Sequence, residues 1–269
     1  MKKIAYLGIP GSYSYEACKH VYPEAETISC KSFEGIIEKV KSGDADYGML
    51  PIANSSAYRV ANVHNLLPNM ELHVVKEYVH KVNNCLLGTQ DAELSDIEVV
   101  HSHPQPLMQC ANYCVDLKVD QMSEASTADA AQYVSEKKDK TKAAIASKSA
   151  GEIYGLKVLG EGIQDKDNNR TTFWVVQKEL EMVEKSADNV TTMLLTTNNI
   201  VAALYKVLGG FATHGVDLLN IESYAMVNEA DFVITIAGHI DDENVKLSMD
   251  EVKLFTKDVK ILGVYNKGE

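Results

Sequence analysis

Residues 3–55 alternate short apolar runs with capped amphipathic segments, and this alternation limits the possible folds more than any other feature of the chain. KIAYLG (3–8) is an apolar run closed by Gly-Ile-Pro-Gly, which reads as a buried strand entering a turn. SYSYEACKHVYP (12–23) has serines at its start and a proline at its end, the marks of a helix. TISC (27–30) is a second short strand. SFEGIIEKVKSG (32–43) carries a serine to cap a helix and a glycine to end it. DYGMLPIANS (46–55) is a third strand that runs into a loop. Strands joined by helical crossovers are parallel. The expectation is an α/β sheet covered by helices.

The chain continues in this style. VHKVNNCLLG (79–88) and IEVVHSH (97–103) read as strands of a second lobe spanning about 79–155. PLMQCANYCVDL (106–117) is helical, with Cys110 and Cys114 on one face. STADAAQYVSEK (126–137) is a capped helix, KAAIAS (142–147) a strand and KSAGEIYG (148–155) a short helix. RTTFWVV (170–176) is β-branched and aromatic, hence a strand. The polar stretch 177–190 lacks a strong period and holds a linker, placed at 179–190 between domains 1–178 and 191–269. After it come a strand at 191–197, a helix at 199–215, strands at 216–227 and 230–240, a helix at 243–256 and a strand at 260–265. This βαββαβ succession is the ferredoxin-like order.

Charge and cysteine usage narrow the partners. A net charge of −12 argues against nucleic acid and anionic membrane, both of which need clustered cations. Only two of the 26 basic residues are arginines, Arg59 and Arg170, so any anionic substrate depends on a few local cations. No apolar run approaches the ~20 residues of a membrane span, and the N-terminal run is too short for a signal peptide. Five cysteines without a CxxC pair read as free thiols in a reducing compartment, which places the chain in the cytoplasm. His-Ser-His at 101–103 has no third ligand at a useful spacing, so no metal is expected, and His101, Ser102 and Gln105 read instead as a polar cleft edge. His64, His73, His80, His214 and His239 are expected to pack or to face solvent.

Taken together, GIPGSYS (8–14), LPIANSSAYRV (50–60), HSHPQPLMQC (101–110), STADAA (126–131), AAIAS (143–147), DKDNNRTTF (165–173) and LGGFATHGVDLLNIESY (208–224) form a series. In order and spacing the series resembles prephenate dehydratase over nearly the whole chain, in its monofunctional form. The resemblance implies a two-lobed, periplasmic-binding-protein-like catalytic domain followed by a ferredoxin-like ACT regulatory domain. It implies decarboxylative dehydration of prephenate to phenylpyruvate in phenylalanine biosynthesis, without cofactor. Self-association through ACT domains as a dimer or tetramer, and feedback by phenylalanine, follow from the same likeness. Thr171 matches the hydroxyl assigned to help protonate the departing ring hydroxyl. Ser12, Tyr13, Asn54, Ser55, Ser102, Gln105, Arg170, Thr172 and Phe173 match the substrate cleft. Ala202, Ala203, Leu204, Glu222 and Ser223 match the phenylalanine contacts. From the residues alone, a loop that opens a helix, as GIPGSYS does, offers backbone N–H groups to a carboxylate.

Three positions depart from the pattern. Ala53 stands where the family has Glu, Tyr58 where it has Gly, and Thr172 where it has Arg. Thr172 cannot make the bidentate contact an arginine gives a carboxylate. On a regular strand Arg170 lies on the same face as Thr172, with Cα atoms about 7 Å apart, and a guanidinium reaches back over that distance. Arg170 is therefore the candidate anchor; the competing reading is a solvated strand residue. Tyr58 is expected either to fill part of the cleft or to push its loop outward. The losses also leave room for a prephenate decarboxylase that does not aromatise its product, and for an amino-acid-sensing homologue with impaired catalysis.

Overall fold

The computed structural model describes residues 1–55, 58–225 and 230–268; the side chains of Tyr58, Arg59, Ala61, Tyr224, Ala225 and Ala230 lie outside that description. The chain divides into two compact units, one of residues 1–64 and 78–173, the other of residues 65–77 and 174–269.

In the first unit β1 (Lys3–Leu7) pairs in parallel with β2 (Glu26–Cys30) and with β3 (Tyr47–Asn54). The intervening helices form where the sequence supplies caps. α1 (Tyr13–Val21) starts under the Ser12 hydroxyl, which accepts from the Tyr15 N–H. α2 (Phe33–Ser42) starts under Ser32 and ends at Gly43, whose φ of 82° suits glycine. β4 (Tyr58–Arg59) folds back on β3 and leads to the single-turn α3 (Ala61–His64). β5 (His73–Lys81) belongs to the same sheet.

A second sheet is built from β6 (Cys85–Gly88), β7 (Val99–Ser102), β8 (Asp120–Ser123), β9 (Lys142–Ala146) and β10 (Lys157–Glu161), in the order β10-β6-β9-β7-β8. It is mixed: β7 runs parallel to β8 and β9, whereas β6 runs antiparallel to β9 and β10. Its helices are α4 (Pro104–Gln109), α5 (Ala111–Leu117), α6 (Thr127–Lys137) and α7 (Lys148–Tyr154). Both faces of this sheet are buried. Leu86, Ala143 and Ile145 enter one core with Cys110 and Cys114, while Leu87, Ala144 and Ala146 enter the other with Ala130, Ala131 and Val134. The period of two along a pleated strand assigns each residue its side. β11 (Arg170–Gln177) then returns to the first sheet, whose order is β2-β1-β3-β11-β5.

Two expectations are corrected here. Residues 79–88 are two strands in two sheets, separated at Val82-Asn83-Asn84, and the second sheet spans 85–161 rather than 79–155. An apolar run tells that a strand is buried but not which sheet buries it. The helix expected over 106–117 breaks at Cys110, whose φ of −116° and ψ of 23° are not helical. The five cysteines are free and buried, and no described helix is long and apolar enough to cross a membrane.

The second unit carries β12 (Asn189–Thr197), α8 (Ala203–Thr213), β13 (Leu218–Ala225), β14 (Ala230–Ala237), α9 (Glu243–Val252) and β15 (Thr256–Asn266), a βαββαβ succession. Its antiparallel sheet has the order β13-β14-β12-β15. Met193, Leu195, Phe232, Ile234 and Ile236 from the sheet bury against Val207, Phe211, Val245 and Val252 from the helices. α8 starts four residues later than expected because Ala202 takes a left-handed backbone, φ 60°, ahead of it.

Candidate active site

The first unit's two sheets are joined by paired crossings. The Val82 N–H donates to the Asn169 carbonyl at 3.0 Å, and the Ile163 N–H donates to the Asn84 carbonyl at 3.1 Å. Asn84 is wholly buried, and its backbone N–H is held by the Gln164 side chain at 2.9 Å. Polar groups gather on two sides of this junction.

One side is built of neutral amides. Asn54 ends β3, where it meets the start of β11. Its Nδ2 donates to Asn169 Oδ1 and to Thr171 Oγ1, both at 2.9 Å. Asn169 Nδ2 donates in turn to Gln109 Oε1 at 2.9 Å, and Gln105 Nε2 reaches Asn54 Oδ1 at 3.4 Å. Both glutamines come from α4, so this network joins β3 and β11 to the second lobe. Beside it Ser55 clamps the strand entry. Its N–H donates to the Arg170 carbonyl at 2.9 Å, its hydroxyl donates to the Asn168 carbonyl at 2.8 Å, and its Oγ accepts from the Arg170 N–H at 3.0 Å. The Gln109 Nε2 is buried and has no hydrogen-bond partner among the described residues. A buried donor in that state is an invitation to an acceptor.

The other side is built on the Gly8–Ser12 loop. The Ser147 hydroxyl donates to the Gly11 carbonyl at 2.7 Å and the Tyr154 hydroxyl to the Pro10 carbonyl at 2.9 Å. The approach requires glycine: a Cβ on Gly11 would lie 2.9 Å from Ala150 Cα, and φ there is +87°. Tyr13 donates to Asn84 Oδ1 at 2.7 Å and to the Asn83 carbonyl at 3.2 Å, clamping the crossing. Burial, helped by the Glu16 carboxylate, holds its phenol well above the ordinary range, so it stays a neutral donor. Glu16 receives His80 Nε2 at 3.1 Å and the Ser149 N–H at 3.4 Å. Burial pushes its carboxyl up, but the hydrogen bonds from His80 and Ser149 outweigh burial and leave it below the usual carboxylate range.

The sequence-expected residues are distributed unevenly. Asn54, Ser55, Gln105, Arg170 and Thr171 meet on the amide side. Arg170 is exposed and pairs with no acid among the described residues, while Thr171 and Thr172 are half-buried. Phe173 is buried, edge-on to His80 with centroids 6.5 Å apart. Ser12 and Tyr13 belong to the loop side, where the Ser12 hydroxyl caps α1 and its N–H bonds the Ile9 carbonyl at 3.2 Å. Ser102 is corrected: it is fully buried and donates to the Ile145 carbonyl at 2.6 Å, tying β7 to β9 instead of lining a cleft edge. His101 is buried too, 2.9 Å from Glu124 and against the Tyr133 ring. In the second unit Ala202 and Ala203 open α8, Leu204 packs on the core, and Glu222 and Ser223 lie on the edge strand β13. The side chains of Tyr58 and Arg59 lie outside the described residues.

Sequence reading missed Asn169, Gln109, Asn84 and the Glu16–His80 pair. The Asn-Asn pair just ahead of Thr171 was a usable signal for Asn169, since residues two apart share a strand face. Nothing local marks Glu16 or Asn84, whose partners are 64 and 71 residues away. Among the described residues no group of three or more His, Cys, Asp or Glu could hold a metal ion. Burial pushes the Cys110 thiol up to about 12, and Cys85 upward as well.

Residues 4–181 match the prephenate dehydratase family. The chain is 35% identical, over 97% of its length and 95% of the relative's, to a bifunctional N-acyl-homoserine lactone acylase/prephenate dehydratase of Komagataeibacter europaeus. It is 32% identical, over 98% of its length and 71% of the relative's, to arogenate dehydratase/prephenate dehydratase 1, chloroplastic, of Arabidopsis thaliana. The crystal structure of prephenate dehydratase in complex with L-Phe from Arthrobacter aurescens superposes with a TM-score of 0.91 at 26% identity, covering 98% of this chain and 90% of that one.

Proposed function

The chain belongs to the prephenate dehydratase family and is a dehydratase of aromatic amino acid biosynthesis, and from that premise we propose how its own residues convert prephenate to phenylpyruvate. In that reaction the ring hydroxyl leaves, the ring carboxylate departs as CO₂, and the electrons of the broken C–C bond complete the aromatic ring. One proton is taken up, so that hydroxide leaves as water.

The observation that carries the reading is the bond from Asn54 Nδ2 to Thr171 Oγ1. A hydroxyl that accepts there keeps its own hydrogen for another acceptor. In the proposal that acceptor is the departing hydroxyl. Threonine is a weak acid and acts by a positioned hydrogen bond, with aromatisation as the driving force; acid assistance of this kind contributes roughly 10²–10⁴-fold. Asn54 holds Thr171, Gln105 holds Asn54, and Ser55 fixes the backbone at Arg170. Arg170, exposed and without an acidic partner among the described residues, is the guanidinium available to a substrate carboxylate. It takes the place of the arginine lost at Thr172. Retention of Thr171 favours aromatisation over simple decarboxylation.

The proposal extends to the second unit as an ACT regulatory domain. Its element order, and the exposed Ile200, Val201, Tyr205, Leu219 and Ile221 around α8 and β13, favour pairing between copies with phenylalanine as effector. A cytoplasmic setting is part of the same reading. Purified protein given prephenate should form phenylpyruvate, identified by mass and by its enol absorbance in base, at a rate lowered by phenylalanine. A dihydro product would favour the decarboxylase. Absence of turnover with phenylalanine still bound would favour a sensing homologue.

A further inference from the structure

Asn169 is buried, 3% exposed, immediately before β11, and both ends of its amide are engaged. Its Oδ1 accepts from Asn54 and its Nδ2 donates to Gln109. The two hydrogens of Asn54 Nδ2 are thereby assigned, one to Asn169 and one to Thr171. Gln109, accepting through Oε1, is left with a buried Nε2 that has no partner among the described residues. One amide thus sets the direction of the whole chain of bonds, and two donors remain at its ends: the Thr171 hydroxyl and the Gln109 amide.

We propose that Asn169 is a positioning residue for the dehydration, which fixes the amides of Asn54 and Gln109 in one orientation so that Thr171 O–H and Gln109 Nε2–H are both offered to the substrate. The proposal rests on the dehydratase reading above and adds to it the cause of the site's polarity. It also accounts for catalysis without an acid at Ala53. A preset row of neutral donors meets developing negative charge with little reorganisation.

Replacing this amide by a carboxylate tests the direction of the chain. In Asn169→Asp the side chain still accepts from Asn54 but cannot donate to Gln109. Gln109 then turns over to donate to the carboxylate, and presents an acceptor where the substrate meets a donor. A protonated carboxyl has one acceptor and one donor and restores the original arrangement. The partners of the Asn169 side chain are neutral amides, so the introduced carboxyl is the titrating group of this network. Phenylpyruvate formation should be followed from pH 7.5 to 5 for wild type, Asn169→Asp, Asn169→Ala and Thr171→Val, against an enzyme-free blank. At pH 7.5 Asn169→Asp should lose roughly tenfold to a hundredfold in kcat/KM, the worth of a hydrogen bond to a charged group. Relative to wild type it should recover severalfold as pH falls, while Asn169→Ala stays low. Equal activity of Asn169→Asp and wild type would overturn the proposal, and so would parallel losses in the Asp and Ala variants at every pH, the mark of a packing role. In either case an active wild type with an inactive Thr171→Val leaves the dehydratase reading standing. A wild type that forms no phenylpyruvate removes both.

Discussion

The two polar sides of the lobe junction solve different problems with different groups. The amide side uses Asn54, Gln105, Gln109 and Asn169, all neutral, and leaves a donor without a protein partner. The loop side uses a carboxylate, a histidine and backbone carbonyls, and engages them with the protein itself, although the Asn84 Nδ2 under Tyr13 is likewise buried without a partner among the described residues. Charges bonded within the protein hold elements in place, whereas an unpartnered donor in a buried site waits for something else. Chemistry belongs to the first side, whose unpartnered Gln109 amide lies on the network that holds Thr171, and cohesion to the second, whose carboxylate and histidine bond each other.

The largest expected effect separates them at once. Thr171→Val keeps shape and removes the hydroxyl, and kcat should fall by roughly 10²–10⁴-fold, while stability falls only by the one lost bond from Asn54, about 1 kcal/mol. Next is Gly11→Val on the loop side. The new Cβ meets Ala150 and the left-handed backbone disfavours it, so destabilisation of about 1–3 kcal/mol is expected in denaturant unfolding. Arg170→Ala should raise KM for prephenate by about tenfold and move stability by less than ~0.5 kcal/mol. An unchanged KM would return Arg170 to the solvent.

Glu16→Gln is the smallest and concerns pH. The folded carboxyl sits below its ordinary value, so its stabilisation is present above the unfolded pKa, near 4.3, and fades as pH falls through the lower folded value. The variant should be about 1 kcal/mol less stable than wild type at neutral pH. The gap should narrow as pH falls below the unfolded pKa, as read from melting curves; a constant gap would mean that the charge is not what holds the loop.

Much of the scaffold was legible because it is local. Ser12, Ser32, Ser126 and Ser147 cap the helices they precede. The boundary between sheets was not legible, since Asn83 and Asn84 acquire meaning only when Tyr13 and Gln164 arrive from elsewhere in the chain. Within the candidate site, the motifs around Asn54 and Thr171 pointed to the segments that meet, but not to which side chain faces which. Ser102 shows the limit: its motif neighbour Gln105 reaches Asn54, while Ser102 itself turns inward on its strand.

The most direct test of the division of labour measures kcat for prephenate and melting temperature together, for Thr171→Val and Glu16→Gln. The account predicts that Thr171→Val loses turnover far beyond what its one lost hydrogen bond takes from stability, while Glu16→Gln loses stability at near-native turnover. Loss of turnover in Glu16→Gln at full stability, or retained turnover in Thr171→Val, would contradict it.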